Sequence, residues 1–356
     1  MPISAVDAIS PAFQHAKQQL LQPFRFGQWV RLALVGMLAG ELGSGGGCNS
    51  NINLPATHHP EGTEQFLAQG WPNLLGDHPL MSASFIAILV VAIFGVVVLF
   101  TYIGSVMRFI LFDSILAKEC HIRQGWARRR REGWLLFVWQ LTLMLLSFVA
   151  LLLLIGVPVL FAWGLGWFTH ASDHVFGLIL GGISLLLVFL ALIVVLAVVH
   201  VMTKDFVVPQ MALEGISAFE GWSRLWMWLR TEKGGYATYI GMKIVLAVAA
   251  GIALTIISVM VILVLLVPFG ALGAVIWMSV KNLALTWNVY TITLAVAAGC
   301  IALAILIFMI SLISVPSAVF FPAYSIYFLA ARYPALADVL WPRLPSPATP
   351  GEAAAT

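Results

Sequence analysis

GWARRRREGW, residues Gly125–Trp134, sets four consecutive arginines between tryptophans in a chain of 356 residues whose hydrophobic share is 61%. Long runs of Leu, Val, Ile, Ala and Phe stand on both sides of it. One arginine at the centre of a bilayer costs about 3 kcal/mol on insertion scales, so a block of four marks an aqueous face. The oily runs before and after it must therefore both touch that face.

Composition agrees. Charged residues make up 9% of the chain, against about 25% in soluble domains, and mean hydropathy is +1.00. Several apolar runs exceed the ~18–20 residues that carry a helix across a bilayer core. Six spans are expected, at about 28–44, 82–107, 134–161, 176–202, 237–267 and 291–315. The fifth is long enough to tilt or kink before Pro268. The stretch FGALGAVIWMSV, Phe269–Val280, is alternatively a re-entrant piece or part of a seventh span (the region 269–290); six is preferred because an odd count would put Arg332 and Arg343 on the wrong side. With six, 17 of the 18 Lys and Arg residues fall on one side and only Lys281 on the other. Cytoplasmic loops carry the Lys/Arg excess, so both termini are expected in the cytoplasm of a multi-pass protein of a bacterial cytoplasmic (inner) membrane. Arg128, Arg129, Arg130 and Arg131 are then chiefly a topology anchor facing anionic lipid headgroups, with Trp126 and Trp134 at headgroup depth.

The segments on the basic side repeat. GWAR at Gly125–Arg128 returns as GWSR at Gly221–Arg224, and Arg108 matches Lys204 at the same offset. VFFPAYSI from Val319 resembles FVVPQMAL from Phe206, so Pro322 matches Pro209. The expected fold is all-α: a single transmembrane domain over 1–340, built as three parallel helical hairpins (about 7–112, 113–208 and 209–322) with amphipathic cytoplasmic helices, and a disordered Pro-rich tail over 341–356. The first amphipathic helix is expected to start at Ser10 as N-cap and Pro11 as first residue, with Ile9, Phe13, Ala16, Leu20 and Phe24 on its apolar stripe. The third should carry Ala212, Ile216, Phe219, Trp222, Trp226 and Leu229 on its apolar face, with Glu220 and Arg224 paired at i,i+4. Such helices lie along the inner leaflet or wedge between spans. The second, about 114–132, is less regular.

The stretch FVVPQMALEGISAFEGWSRLWMWLRTEKGGY resembles the multi-span membrane domain of bacterial glycerophosphoryl diester phosphodiesterases and related uncharacterised bacterial membrane proteins. Pro209, Glu214, Ser217, Ala218 and Trp222 carry the likeness, which extends loosely over residues 5–335. No phosphodiesterase barrel is appended, so the resemblance implies no such activity and supplies no catalytic residues.

The outer loops hold His58, His59, Glu61, Glu64, Asp77, His78, His170, Asp173 and His174, residue types that zinc accepts, though no motif fixes their geometry. Within the spans, Glu41 is expected near the outer end of the first and His200 near the inner end of the fourth, with Asp113 and Asp205 just beyond spans two and four and Arg108 and Lys204 near enough to pair with them. Gly36/Gly40 and Gly177/Gly181 are spaced for close helix contact. No P-loop, dinucleotide fingerprint or Ser/His/Asp arrangement is visible, and no cofactor or nucleic acid is implied. Three functions follow in order: a non-catalytic scaffold, assembly or regulatory subunit with a membrane-protein partner; a transporter or channel for a small or lipidic substrate; and a membrane metalloenzyme using the external histidines.

Overall fold

α3, Pro79–Ala117, is 39 residues long and rises about 58 Å at ~1.5 Å per residue, nearly twice a bilayer core of ~30 Å. The helices of this chain overrun the membrane on one side, and the protein core lies there. The structure is a computed structural model that describes residues 4–41, 79–167, 174–282 and 289–341, and every regular element among them is helical. α1 (Ile9–Leu21) and α2 (Phe26–Leu38) precede α3. α4 (Ile122–Gly164) follows it, and α5 (Val175–Met202) passes through a π-helical turn, Thr203–Val207, into α6 (Val208–Glu214). α7 (Ala218–Thr231), α8 (Lys233–Asn282), α9 (Val289–Ala330) and α10 (Pro334–Leu340) complete the order.

Five stretches are long and apolar enough to cross a membrane: Ile86–Ala117, Ile122–Gly164, Val175–Glu214, Lys233–Pro268 and Val296–Ala330. The chain is a multi-pass membrane protein. Val and Ile are modest helix formers in water, but in hydrocarbon a spanning segment must satisfy its own backbone, and the helix does so. Prolines are tolerated on the same terms. Pro316 inside α9 leaves the Leu312 carbonyl without its usual donor, and the Trp29 indole of α2 donates to it at 3.0 Å.

Each long helix is buried at one end and apolar-exposed at the other. Phe109, Ile110, Leu136, Phe206, Met211, Tyr236, Tyr239, Val319, Tyr324 and Phe328 form the core with α1 and α2. The far halves present Val91, Leu146, Ile183, Val264 and Ile301 outward, the surface that lipid tails cover. Both ends of the described chain lie at the packed end: Tyr324 donates to the Ala5 carbonyl at 3.0 Å, and Leu336 of α10 is fully buried.

Helix C-termini at this end leave carbonyls without intrahelical donors, and side chains from other elements supply them. His15 and Gln19, one turn apart on α1, reach the Ile115 and Ser114 carbonyls of α3 at 3.0 and 2.9 Å. Arg129 donates to Ala212 at the end of α6 at 2.7 Å, and Arg108 to Ala39 at the end of α2 at 3.0 Å.

Several expectations are corrected. α2 has 13 residues and rises only about 20 Å at ~1.5 Å per residue, and Glu41 beyond it pairs with Lys204 at the packed end instead of standing near an outer end. Residues of the expected first span after Glu41 lie outside the described ones. α1 starts at Ile9 behind Ala8, without a side-chain cap, so Ser10 and Pro11 fall inside its first turn. The expected second amphipathic helix is divided between the end of α3 and the start of α4, which runs unbroken from Ile122 into its apolar length. α8 continues through Pro268 to Asn282 as one helix.

The expected apolar stripes are divided between the core and the surroundings: Ala16, Leu20 and Ala212 are buried, and Ile9, Ile216, Trp222 and Leu229 pack against the core. α1 buries Ala8, Ala12 and Ala16, and α7 buries Ala218, Gly221 and Leu225, while Phe13, Phe24, Phe219 and Trp226 are exposed. Helices pack closely through small residues: a Cβ on Gly221 would stand 2.8 Å from Val207 Cγ1. At a membrane face the large rings need no protein cover. Ser217 caps α7, accepting from the Glu220 amide at 3.3 Å, and the expected Glu220–Arg224 pair forms at 2.7 Å.

Candidate binding site

The ends of α3, α5–α6 and α9 converge on a buried charge cluster. Lys204 and Asp205 stand in the π-helical turn, whose extra residue per turn sends neighbouring side chains to different partners. Lys204 bonds Glu41, 163 residues earlier, and Asp205 bonds Lys243 of α8. Tyr239, one turn before Lys243, donates to the same Asp205 oxygen at 2.9 Å and stacks on Tyr324 of α9 with centroids 5.1 Å apart. Thr203 is fixed by its hydroxyl bond to Val199 at 2.7 Å, and it accepts from the Trp222 indole at 3.0 Å.

Arg108 of α3 is the third cation of the cluster. It is 8% exposed, and among the described residues it has no carboxylate within ion-pair distance. Its Nη2 bonds Ala39, whereas Nε and Nη1 are buried without a hydrogen-bond partner. Two cavities meet at it. A small one of about 20 Å³ is lined by Glu41, Lys204, Asp205, Pro209 and Pro322. That is room for about one water molecule. The other, about 630 Å³ and open, lies between the end of α2 and helices α3, α4 and α5; Phe100, Leu143, Met144 and Leu196 make its apolar wall, and Arg108, Gln140 and His200 bring polar groups to it.

The sequence model of one family matches residues 3–339 of this chain. The chain belongs to DUF7544, a family of unknown function. No curated protein and no solved structure matches it. This match carries no link to the phosphodiesterase membrane domains.

In this DUF7544 member, the four arginines at 128–131 are not equivalent. Arg129 is buried and grips Asp113 through two 2.7 Å hydrogen bonds, while Arg128, Arg130 and Arg131 are exposed. Asp113 therefore pairs with Arg129, not with the nearer-in-sequence Arg108. Gly125 and Gly221 both sit against the preceding long helix, the first with room for a Cβ only 3.0 Å from Ile110 and the second against Val207. Trp126 meets the Tyr102 ring edge-on at 6.1 Å. Glu214 accepts from Tyr333 and Arg224 at the C-terminus of α6, where Gly215 takes a left-handed φ of 68°. Pro209 and Pro322 both line the small cavity. Gly36 approaches Ala318 closely, whereas Gly181 meets nothing within 4 Å.

Of the suggested metal ligands, His58, His59, His78, His170 and Asp173 lie outside the described residues. His174 stacks on Trp167 with centroids 5.6 Å apart, and no cluster of three ligand side chains occurs among the described residues.

Sequence reading singled out Glu41, Arg108, His200, Lys204 and Asp205 as ionisable groups near interfaces. It missed Tyr239, Lys243 and Gln140, and the long-range partners. The signal that was present is the Arg108/Lys204 match between repeats, which places two cations at corresponding helix turns. Outside the spans, burial holds the His15 imidazole below its usual value against Nε2 contact with Ile115. The Arg332 guanidinium holds the Glu232 carboxyl below the usual range, and burial pushes the Cys120 thiol and the Tyr333 phenol up.

Proposed function

We propose that this protein is a non-catalytic carrier of a lipidic substrate, taken from the bilayer into the open cavity between α2, α3, α4 and α5. One observation carries the reading. A cavity of about 630 Å³ with apolar walls ends on a buried arginine, and sites for small amphiphiles pair an apolar enclosure of ~300–1,000 Å³ with a few placed polar groups. A scaffold has no need of a cavity that ends on a partly unsatisfied charge. The likeness to phosphodiesterase membrane domains remains a reading of Pro209, Glu214, Ser217, Ala218 and Trp222 and adds no chemistry.

The carrier has six crossings, with both termini and the packed end in the cytoplasm, where the Lys/Arg excess belongs. Parity supports the sixth. Ala5 and Leu336 lie at the same end, while the five long apolar helices make an odd number of passes, which favours an even total for the whole chain. The triple hairpin is supported at the packed end, where Arg108, Lys204 and Pro322, one from each unit, line the same small cavity.

The test uses the purified full chain in proteoliposomes containing phospholipid with a fluorescent acyl chain, and follows transbilayer movement by quenching from outside. Movement above that of protein-free vesicles, reduced by the cavity-filling substitution Met144→Trp, is the expected result. Equal rates with and without protein sink the carrier reading.

A further inference from the structure

The geometry points to an oxyanion head, phosphate or carboxylate, on the amphiphile, bound at Arg108. The inference rests on the carrier reading for the cavity, but its evidence is the charge balance at the cavity floor. Among the described residues, two carboxylates, Glu41 and Asp205, meet three cations, Arg108, Lys204 and Lys243. Lys204 and Lys243 each have a carboxylate. Among the described residues, Arg108 has one backbone carbonyl at the end of α2 and two nitrogens without partners, although it is 8% exposed.

A buried guanidinium left with unused donors is costly, and Arg carries its donors in a planar fork suited to carboxylate and phosphate. A zwitterionic or neutral head would leave the excess charge in place. An anionic head removes it and fills the open N–H positions. His200 stands four residues before Lys204 on the cavity side of α5 and offers a second donor. Tails would lie along Phe100, Leu143 and Leu196 and run out through the open side. The small cavity on the other side of Arg108 has room for about one water molecule, so the head stops at the arginine.

The experiment holds the full chain in phosphatidylcholine nanodiscs and photolabels it with diazirine-tailed phosphatidylglycerol or phosphatidylcholine, reading adducts on peptides of α3, α4 and α5 that line the cavity. Unlabelled dioleoylphosphatidylglycerol, oleate and inorganic phosphate compete in separate arms. The expected result is labelling by the anionic probe at about tenfold lower concentration than by the zwitterionic one, the size of one hydrogen bond to a charged group. Arg108→Gln should abolish that preference and Arg108→Lys should keep part of it. Arg230→Gln, on the exposed surface of α7, should leave it unchanged. Competition by phosphatidylglycerol or oleate alone assigns the head to a membrane amphiphile and says which oxyanion it carries; competition by inorganic phosphate as well assigns the site to a free phosphate.

If Arg108→Gln does not fold, judged by its melting in micelles, Met144→Trp decides, since it fills the cavity and leaves the arginine. It should remove anionic labelling. Equal labelling by both probes, or a preference untouched by the folded variants, overturns the inference and leaves the carrier reading standing. Absence of cavity adducts from either probe defeats both. Arg108-dependent binding without transbilayer movement would retain the anion site and discard the carrier.

Discussion

Arg129 and Asp113 hold the α3–α4 hairpin together through two parallel hydrogen bonds of 2.7 Å, and the third arm of the same guanidinium closes the Ala212 carbonyl of α6 at 2.7 Å. One side chain from a run of four therefore ties three helices. Its neighbours Arg128, Arg130 and Arg131 are exposed. Arg129→Ala should destabilise the protein by about 2–3 kcal/mol, below the ~3–5 of a fully buried pair because Asp113 is partly exposed. Arg130→Ala should stay within about 0.5 kcal/mol, as exposed substitutions do. Denaturant unfolding in micelles compares them directly. Equal losses would mean that the bidentate contact is not what holds the hairpin.

A second prediction concerns α2. A Cβ on Gly104 would stand 2.8 Å from the Leu38 backbone carbonyl, whereas one on Gly95 would meet nothing within 4 Å. Gly104→Ala should push α2 off α3 and cost about 1–3 kcal/mol, the range for overpacking. Because Arg108 lies one turn further along and bonds Ala39, this variant should also weaken anionic-lipid labelling. Gly95→Ala should do neither. Thermal melting with and without lipid reads both effects.

The all-α class and five of the long apolar helices were legible from run length alone, because a bilayer leaves the backbone few alternatives. The faces of the short helices were not. Reading α1 and α7 by large apolar residues picked Phe13, Phe24, Phe219 and Trp226, all exposed, and undervalued Ala12 and Gly221, which pack inward. That rule belongs to water, where a ring gains by leaving solvent. At a membrane the ring can stay with lipid, and close approach of backbones decides which side faces protein. Charge partners were hidden for another reason: Glu41 and Lys204 are 163 residues apart, and no local spacing announces such a pair. Ala12→Leu should accordingly cost about 1–3 kcal/mol by overpacking, and Phe13→Ala should leave unfolding nearly unchanged.

His15 predicts a pH dependence. Its Nε2 faces the Ile115 carbonyl at 3.0 Å and must carry the proton, so Nδ1 accepts from Tyr327 at 3.2 Å. Burial is the main reason that the folded imidazole titrates below the ordinary 6.5, and nearby Lys118 adds to it. The unfolded chain therefore takes up the proton first. The contribution of His15 is full above pH 6.5 and is lost as pH falls below that value, with a limiting slope of about 1.4 kcal/mol per unit. His15→Gln, which can still donate to Ile115, should flatten this dependence. Melting temperatures between mildly acidic and neutral pH check it. A slope unchanged in the variant would assign the proton uptake to another group.

Topology supplies the last prediction. Tyr324 reaches Ala5, and Tyr333 reaches Glu214 at the end of α6, so both ends of the described chain lie at the packed end. Reporter domains fused before Ala5 and after Trp341 should face one compartment, together with Cys120 between α3 and α4. Reporters inserted near residues 170 and 285 should face the other. On the proposed orientation, in which the basic excess faces the cytoplasm, the first group should be cytoplasmic. Replacing Arg128, Arg130 and Arg131 with glutamine, while keeping Arg129, should produce mixed orientation without loss of helix packing. That separates the anchoring role of the exposed arginines from the structural role of the buried one. An N-terminal reporter on the side of residue 170 would remove the proposed sixth crossing, and with it the six-span topology.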